Sequence, residues 1–242
     1  MDSNTCKLYI ADVTILNNDS EYEKYSKIVS EERRLKAAKI KARKEKNLSL
    51  GAGVLIELAM RDLKLTVDNF CPTMDTDREG EVYYNLSHSG SKAILAACNN
   101  RVGCDVEWMG RHTLSEDMEL KLSDRFFTRG EYECIRAAHE KADAAEGLMA
   151  QALREEAREV FFRIWTLKES IIKAAGKGLA IPLDSFEVSR EAEGFTLRTI
   201  TPGEVNFEEY SLYTEDFGDN YCYSVCIHSN EEYELQTERI DL

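Results

Sequence analysis

Hydrophobic and polar residues follow two different periods along this chain, and the change of period divides it into predicted strands and helices. Residues 6–15 alternate as a strand of mixed burial. Between Gly51 and Leu63, apolar residues recur at helical spacing, which predicts a helix packed against a core. Ser30 precedes two glutamates and is a candidate N-cap, because acidic side chains stabilise the first turn of a helix.

The second half of the chain repeats this order of strand, helices and strands. Gly176-Lys177-Gly178 ends its last predicted helix, and Pro182 reinforces the stop. We therefore expect an α+β fold with two similar α/β lobes, residues 1–102 and 103–228, and a functional site in the cleft between them. The acidic tail, residues 229–242, is expected to fray. Other predicted elements are strands at 83–84, 93–97, 101–107, 184–190, 194–200, 207–215 and 220–228, and helices near 115–123, 130–158 and 161–175.

Composition argues against several classes of protein. A net charge of −14 disfavours general binding to nucleic acid or to an anionic membrane. No apolar run approaches the ~18 residues that span a bilayer. The first residues lack the basic and apolar parts of a secretion signal. Seven cysteines, an odd number, suit a reducing compartment. We therefore expect a cytoplasmic protein with no nucleic-acid partner and no membrane association.

The first candidate for chemistry is the predicted strand from Val102 to Glu107. Its apolar residues alternate with Gly103, Asp105 and Glu107, so the two carboxylates share one face. Adjacent carboxylates on an open face repel each other unless a cation lies between them. A D-x-E strand is also common on solvated surfaces, and the spacing alone leaves both interpretations open.

The second candidate is a predicted helix in which Glu169 and Lys173 are one turn apart. A third carboxylate that joined Asp105 and Glu107 would complete an all-oxygen site for a hard divalent cation. Magnesium is the natural ion when a substrate carries phosphate.

Neighbouring motifs favour the metal-site interpretation of these carboxylates over a solvated surface. They occur in a fixed order between residues 85 and 179, and together they resemble the 4′-phosphopantetheinyl transferases, specifically the larger, Sfp-type, pseudo-dimeric branch of that family. No single motif would be specific, but the ordered set is. The motifs are Asn85-Leu86-Ser87-His88-Ser89-Gly90, Val102-Gly103-Cys104-Asp105-Val106-Glu107, Phe126-Phe127 with Glu131-Tyr132, and Trp165 with Lys168-Glu169, Lys173 and Gly176-Lys177-Gly178-Leu179.

The resemblance implies the 4′-phosphopantetheinyl transferase fold and its reaction. A serine of an apo carrier protein (acyl, polyketide or peptidyl) would receive the phosphopantetheine arm of coenzyme A, as in secondary metabolite biosynthesis, and 3′,5′-ADP would leave. Asp105, Glu107 and Glu169 would hold Mg²⁺ against the pyrophosphate of coenzyme A. Glu169 is also a candidate general base, directly or through a water. Lys173 would stabilise charge on the leaving phosphate. A two-lobed chain is expected to act as a monomer.

The resemblance also implies a binding site for coenzyme A. Arg33 and Lys36 match bases that bind coenzyme A in the family, and Ser87 and His88 match its nucleotide and 3′-phosphate contacts. Both bases lie in a stretch, residues 33–46, with eight basic residues and one acid. Without the resemblance, this stretch fits a solvated helix face equally well.

Two positions depart from the family pattern. Glu81 stands where the family has a lysine that contacts coenzyme A, and residues 46–49 replace an arginine followed by a hydroxyl residue. These changes put the affinity for coenzyme A in doubt. Two alternatives therefore stay open: a coenzyme A-binding protein of the same fold without transferase activity, and a magnesium-dependent phosphoesterase that uses the same carboxylates.

Residues 137–160 form a predicted helical insertion that is long for an Sfp-type sequence. Gly147 is expected to break it into two helices, and Leu148 and Met149 belong to a narrow apolar stripe. We expect this segment to influence the choice of carrier and to take no part in the chemistry. An inert, solvated helical segment is the alternative.

Overall fold

The computed structural model describes residues 4–73, 81–110, 114–191, 194–203 and 205–242. Within these ranges, the predicted strands and helices occur in the predicted order, together with a helix at 19–26 and strands at 70–72 and 234–240 that the sequence analysis did not predict. The strands are β1 (Thr5–Asp12), β2 (Phe70–Pro72), β3 (Val82–Ser89), β4 (Lys92–Cys98), β5 (Val102–Trp108), β6 (Phe186–Glu191), β7 (Gly194–Thr199), β8 (Tyr210–Gly218), β9 (Tyr221–His228) and β10 (Glu234–Ile240). The helices are α1 (Asp19–Ser26), α2 (Glu31–Ala38), α3 (Arg43–Asp62), α4 (Glu116–Phe126), α5 (Arg129–Asp143) and α6 (Gly147–Ala174).

The strands form two sheets and a hairpin. The first sheet has the order β10-β1-β4-β3-β2, with antiparallel pairs at its centre and a parallel pair at each edge. The second sheet, β5-β9-β8, is antiparallel throughout. Within the part of the chain that the structure describes, strands β6 and β7 pair with each other and with no third strand. The mixed α and β class expected from the sequence is therefore confirmed.

The hydrophobic cores arrange these elements in layers. On one face of the first sheet, Tyr9 and Leu95 pack with Leu55 of α3. On its other face, Leu8 and Ile94 pack with the apolar residues of β5 and β9. Helix α6 covers the far side of the second sheet, where its aromatic and aliphatic residues meet Cys222 and Cys226. Strand β5 is therefore enclosed between the first sheet and α6.

The expectation that the acidic tail frays is wrong for residues 234–240. Strand β10 pairs in parallel with β1 over seven positions, from Thr5↔Glu234 to Ala11↔Ile240. Its side chains are mostly exposed, but the backbone groups on the side that faces β1 are paired. The prediction was based on the polar side chains of the tail, but backbone hydrogen bonds to β1 keep this segment ordered whatever its side chains are.

The predicted helices near 130–158 and 161–175 are placed differently in the structure. Helix α6 is continuous over 28 residues, and the break lies at residues 144–146, just before Gly147. Gly147 has φ +60°, which glycine adopts at little cost. The insertion at 137–160 therefore consists of the end of α5 and the start of α6, which pack against each other. Despite the length of α6, no helix within the described ranges is apolar enough to cross a membrane.

Candidate functional site

Gly103 allows α6 to lie directly on β5. A methyl group at this position would overlap the carbonyl oxygen of Ser170 and lie 2.5 Å from the backbone nitrogen of Ala174. The two backbones are therefore in contact, which requires glycine. Because Asp105 shares this face of β5 and Lys173 packs beside Gly103, residues predicted from separate motifs come together here.

Asp105 and Lys173 form an ion pair at this contact. Lys173 Nζ lies 2.7 Å from Asp105 Oδ1 and donates to the carbonyl oxygen of Cys104 at 3.1 Å. Ser87 Oγ donates to the same Asp105 oxygen at 2.7 Å. Burial lowers the pKa of Lys173, but the charges of Asp105 and Glu169 outweigh this effect and leave the pKa above its ordinary value. In this structure the cation beside Asp105 is therefore the ammonium group of Lys173.

Glu169 is half-buried beside this pair. Burial raises the pKa of Glu169, the negative charge of Asp105 raises it further, and the positive charge of Lys173 opposes both. The effect of both charges means that the Glu169 carboxylate lies within electrostatic range of Asp105. A carboxylate with a raised pKa gains more from a nearby cation than one that is fully solvated.

Glu107 lies two residues after Asp105 on β5 and has a different partner. Ser89 Oγ donates to Glu107 Oε2 at 2.7 Å. Among the residues that the structure describes, no group of three His, Cys, Asp or Glu side chains is arranged to hold a metal ion. The site of three carboxylates therefore stays a prediction. One observation fits a divalent cation: Asp105 Oδ2 is buried and has no hydrogen-bond partner among the described residues, and hard cations prefer carboxylate oxygens.

A polar seam joins β5 to the first sheet. In β5, alternate backbone N–H groups point away from β9 and would be unpaired at an edge of the second sheet. Instead, each donates to a side-chain oxygen at 3.0 to 3.4 Å. Sequence reasoning missed this seam, although N-x-S-x-S in β3 has the same two-residue period as G-x-D-x-E in β5. The acceptors Thr73, Asn85, Ser87 and Ser89 face the N–H groups of Val102, Cys104, Val106 and Trp108.

Arg33 and Lys36 line a separate cavity of about 460 Å³ between α2, α3 and the edge of the first sheet. Ser30 caps α2 as predicted, because its side chain accepts a hydrogen bond from the backbone nitrogen of Arg33. The rings of Phe70 and Tyr84 form one wall and stack with centroids 4.5 Å apart. The cavity therefore combines cations with aromatic surface, which suits a ligand with anionic and planar parts.

His88 lies on the face of β3 opposite to Ser87 and is exposed. This is the face of Tyr84, so His88 and the cavity are on one side of the first sheet, whereas Asp105 is on the other. At the first departure from the family pattern, the thiol of Cys71 donates to the Glu81 carboxylate. At the second, residues 46–49, the side chains of Asn47 and Ser49 are buried.

A buried ion pair connects two of the recognised motifs, although the sequence assigned neither residue a role. Lys168 Nζ lies 2.8 Å from Glu131 Oε2, and both side chains are almost fully buried. Lys168 also donates to the carbonyl oxygens of Leu183 and Phe186, at 2.6 and 2.7 Å. Burial lowers the pKa of Lys168 and raises that of Glu131. The pair ties α5, α6 and β6 together next to Glu169.

Comparison with known proteins gives concordant matches. A 4′-phosphopantetheinyl transferase of Bacillus subtilis is 30% identical over 146 residues, 60% of this chain and 55% of that protein. The 4′-phosphopantetheinyl transferase Sfp of Bacillus subtilis strain 168 is 26% identical over 185 residues, 73% of each chain. An L-aminoadipate-semialdehyde dehydrogenase-phosphopantetheinyl transferase of Xenopus laevis is 29% identical over 157 residues, 62% of this chain and 44% of that protein. This chain thus spans little more than half the length of the first of these relatives.

The sequence profile of the 4′-phosphopantetheinyl transferase superfamily matches residues 101–226. The matched region is more than half of the chain and contains the whole of β5 and α6. It therefore includes Asp105, Glu107, Glu169 and Lys173. The resemblance drawn from the four motifs is confirmed: the chain belongs to the 4′-phosphopantetheinyl transferase superfamily.

Proposed function

We propose that this chain transfers the 4′-phosphopantetheine arm of coenzyme A to a serine of an apo carrier protein, with Mg²⁺ bound, and releases 3′,5′-ADP. The observation that carries the proposal is the cluster of Asp105, Glu169 and Lys173 where β5 meets α6. The cluster lies inside the region that matches the superfamily, and the relatives above are named as phosphopantetheinyl transferases.

Asp105, Glu107 and Glu169 would hold the metal ion. The partnerless Oδ2 of Asp105 and the raised pKa of Glu169 support this assignment. When bound, Mg²⁺ would neutralise pyrophosphate oxygens and act as a Lewis acid on them. Because no group of three carboxylates among the described residues is already arranged to hold a metal ion, binding by all three requires side-chain rearrangement.

The protein groups would then act mainly by position and charge. The serine oxygen of the carrier forms a bond to the phosphorus that bears pantetheine, and the bond from that phosphorus to the oxygen of 3′,5′-ADP breaks. Glu169 would accept the serine proton, directly or through a water, and its raised pKa makes it a stronger base than a solvated carboxylate. Lys173, held in its charged form, would donate to the leaving phosphate.

Arg33, Lys36 and His88 would bind the 3′-phosphate of coenzyme A by charge-assisted hydrogen bonds. The cavity beside Arg33 and Lys36 and its stacked aromatic wall support this assignment. Ser87 would lie on the other side of the first sheet, beside Asp105. Coenzyme A would therefore extend past residues 85–89 of β3, the part of that strand that β2 does not pair.

We also propose two lobes with the site between them, in a protein that acts as a cytoplasmic monomer. The first sheet is built largely from residues before 102 and the second from residues after it, which supports this division. Strand β10 is the exception, because the end of the chain returns to the first sheet. The tail therefore belongs structurally with residues 1–102. The partner would be an acyl, polyketide or peptidyl carrier.

A mass measurement on the carrier tests the proposed reaction. The chain is incubated with coenzyme A, Mg²⁺ and an apo carrier protein, and the carrier is analysed by intact mass spectrometry. We expect the carrier to gain one phosphopantetheine arm, in amounts that fall when Mg²⁺ is chelated. Cleavage of coenzyme A without carrier would instead indicate a phosphoesterase. Binding of coenzyme A with neither reaction would indicate a binding protein.

A further inference from the structure

We propose that Ser89 is a positioning residue that orients the Glu107 carboxylate for the divalent cation; this inference rests on the function proposed above. Ser89 is the last residue of β3 and is 2% exposed. Its Oγ donates to Glu107 Oε2 at 2.7 Å and accepts from the backbone nitrogen of Trp108 at 3.0 Å. The hydroxyl group is thus bonded to both the backbone and the carboxylate of one short strand segment.

These two bonds need a small group that donates and accepts at once, which a hydroxyl group does. The bond from Trp108 fixes the serine against β5, so the proton of the hydroxyl group is directed at Glu107. The carboxylate is then held in one orientation before any cation arrives. Groups that hold a metal ligand in this way typically contribute a factor of about 10 to 100 in metal affinity.

The neighbouring position in the seam repeats the arrangement. Ser87 Oγ accepts from the backbone nitrogen of Val106 at 3.4 Å and donates to Asp105 Oδ1 at 2.7 Å. Each serine of β3 therefore accepts from one residue of β5 and donates to the carboxylate just before it. The repeat shows that the carboxylates of the D-x-E strand and the serines of β3 are in register.

Asn85 provides an internal control. Its Oδ1 accepts from the backbone nitrogen of Cys104 at 3.1 Å, so it contributes to the same seam. The residue before Cys104 is Gly103, which has no carboxylate to orient. Loss of the Asn85 side chain therefore weakens the seam without removing a bond to Asp105 or Glu107.

The experiment compares Ser89→Ala, Ser89→Thr and Asn85→Ala with the parent protein. Binding of Mn²⁺ is measured by electron paramagnetic resonance with saturating coenzyme A, and stability by urea unfolding. We expect Ser89→Ala to weaken Mn²⁺ binding about 10- to 100-fold, whereas Ser89→Thr restores most of it. Asn85→Ala should lose about as much stability as Ser89→Ala, but it should keep the Mn²⁺ affinity of the parent. If Ser89→Ala does not fold, Ser89→Cys, with its weaker donor, should weaken Mn²⁺ binding to a smaller extent.

The outcomes separate this inference from the proposed function. If Ser89→Ala binds Mn²⁺ as tightly as the parent does, the positioning role is overturned. The same holds for Ser89→Cys if that variant has to replace Ser89→Ala. Transfer by the parent would in either case leave the proposed function intact. An equal loss of Mn²⁺ affinity in Asn85→Ala would also overturn it, because the effect would then belong to the seam in general. No Mn²⁺ binding by the parent would overturn both the inference and the metal-dependent reaction.

Discussion

Asp105 has two roles: it is a proposed metal ligand, and it is the ion-pair partner of Lys173. Asp105→Asn keeps the shape of the side chain and removes its charge, so it tests both roles with less damage to packing than alanine. We expect Asp105→Asn and Glu107→Gln each to lower kcat at saturating Mg²⁺ on the order of 100-fold or more. The measurement is the steady-state rate of carrier modification, with circular dichroism as the check of folding. Near-normal turnover of Asp105→Asn would exclude the proposed metal site.

Gly103 makes a steric prediction that does not depend on the reaction. Gly103→Ala places a methyl group against the backbone of α6. Backbone atoms cannot move aside as the end of a flexible side chain can. We expect a loss of about 1–3 kcal/mol in the free energy of unfolding, as for other overpacked sites. Transfer activity should fall as well, because α6 carries Glu169 and Lys173. Gly203→Ala is the matched control, since a methyl group there meets no atom within 4 Å.

Between elements, the buried pair of Lys168 and Glu131 links α6 to α5 and β6. Lys168→Met leaves a buried carboxylate without its charge partner, which typically costs about 3–5 kcal/mol. The double variant Glu131→Gln with Lys168→Met removes both charges and should be closer to the parent in the free energy of unfolding. Urea unfolding of the three proteins measures these differences. If the double variant is as unstable as Lys168→Met, the cost lies in packing or in the lost hydrogen bonds to Leu183 and Phe186, and not in the charge of Glu131.

The same ion pair predicts how the free energy of unfolding of these variants depends on pH. Burial raises the pKa of Glu131, and the charge of Lys168 opposes that rise. Lys168→Met therefore raises the pKa of Glu131 further. A carboxyl group with a raised pKa in the folded state binds more protons there than in the unfolded state, so stability falls as pH rises. We expect the stability deficit of Lys168→Met relative to the parent to be smaller at pH 5 than at pH 8, because Glu131 has the higher pKa in this variant. The double variant lacks the Glu131 carboxyl group, so its deficit should not increase in this way as pH rises. Urea unfolding at the two pH values measures both.

The start of α6 presents exposed apolar side chains without a structural role of their own. Leu148 is 86% exposed and Met149 is 63% exposed. Replacing the whole segment would be uninformative, because Arg158 in α6 bonds to the buried Glu119 of α4. We expect Leu148→Ser with Met149→Ser to raise the KM for the carrier and to leave the KM for coenzyme A and the stability unchanged. Ile200→Ser, at a position 43% exposed and outside the cavity beside Arg33 and Lys36, is the control; unchanged KM values across several carriers would favour an inert segment.

Across the entire protein, charge is distributed unevenly: a chain of net charge −14 carries a basic stretch at residues 33–46. We expect binding of coenzyme A to weaken with salt, because exposed phosphate contacts are screened over about 8 Å at physiological ionic strength. The triple variant Arg33→Ala, Lys36→Ala and His88→Ala should bind coenzyme A more weakly and with a smaller salt dependence. Calorimetry at two salt concentrations measures both effects. Unchanged affinity in the triple variant would mean that the stretch is a solvated face.

Local patterns in the sequence sufficed for some of these features. The alternation of Val102, Cys104 and Val106 with polar residues predicted the apolar face of β5, and Ser30 predicted the cap of α2, because both depend on neighbours in the chain. Four motifs in order were enough for the family, since they record chemistry that the superfamily shares. The end of the chain was misjudged for a related reason: the partner of β10 is β1, more than two hundred residues away.

Other features exist only once the chain is folded. The contact of Gly103 with α6, the ion pair of Asp105 with Lys173 and the seam from Ser89 to Glu107 each join elements that are distant in sequence. Their energies depend on burial and on distances of a few ångströms, which residue spacing within one element does not determine. The sequence by itself determined the superfamily and predicted which residues carry the chemistry. The tertiary structure decided which of them meet, because burying β5 between the first sheet and α6 places Asp105 beside Lys173 and Glu107 beside Ser89.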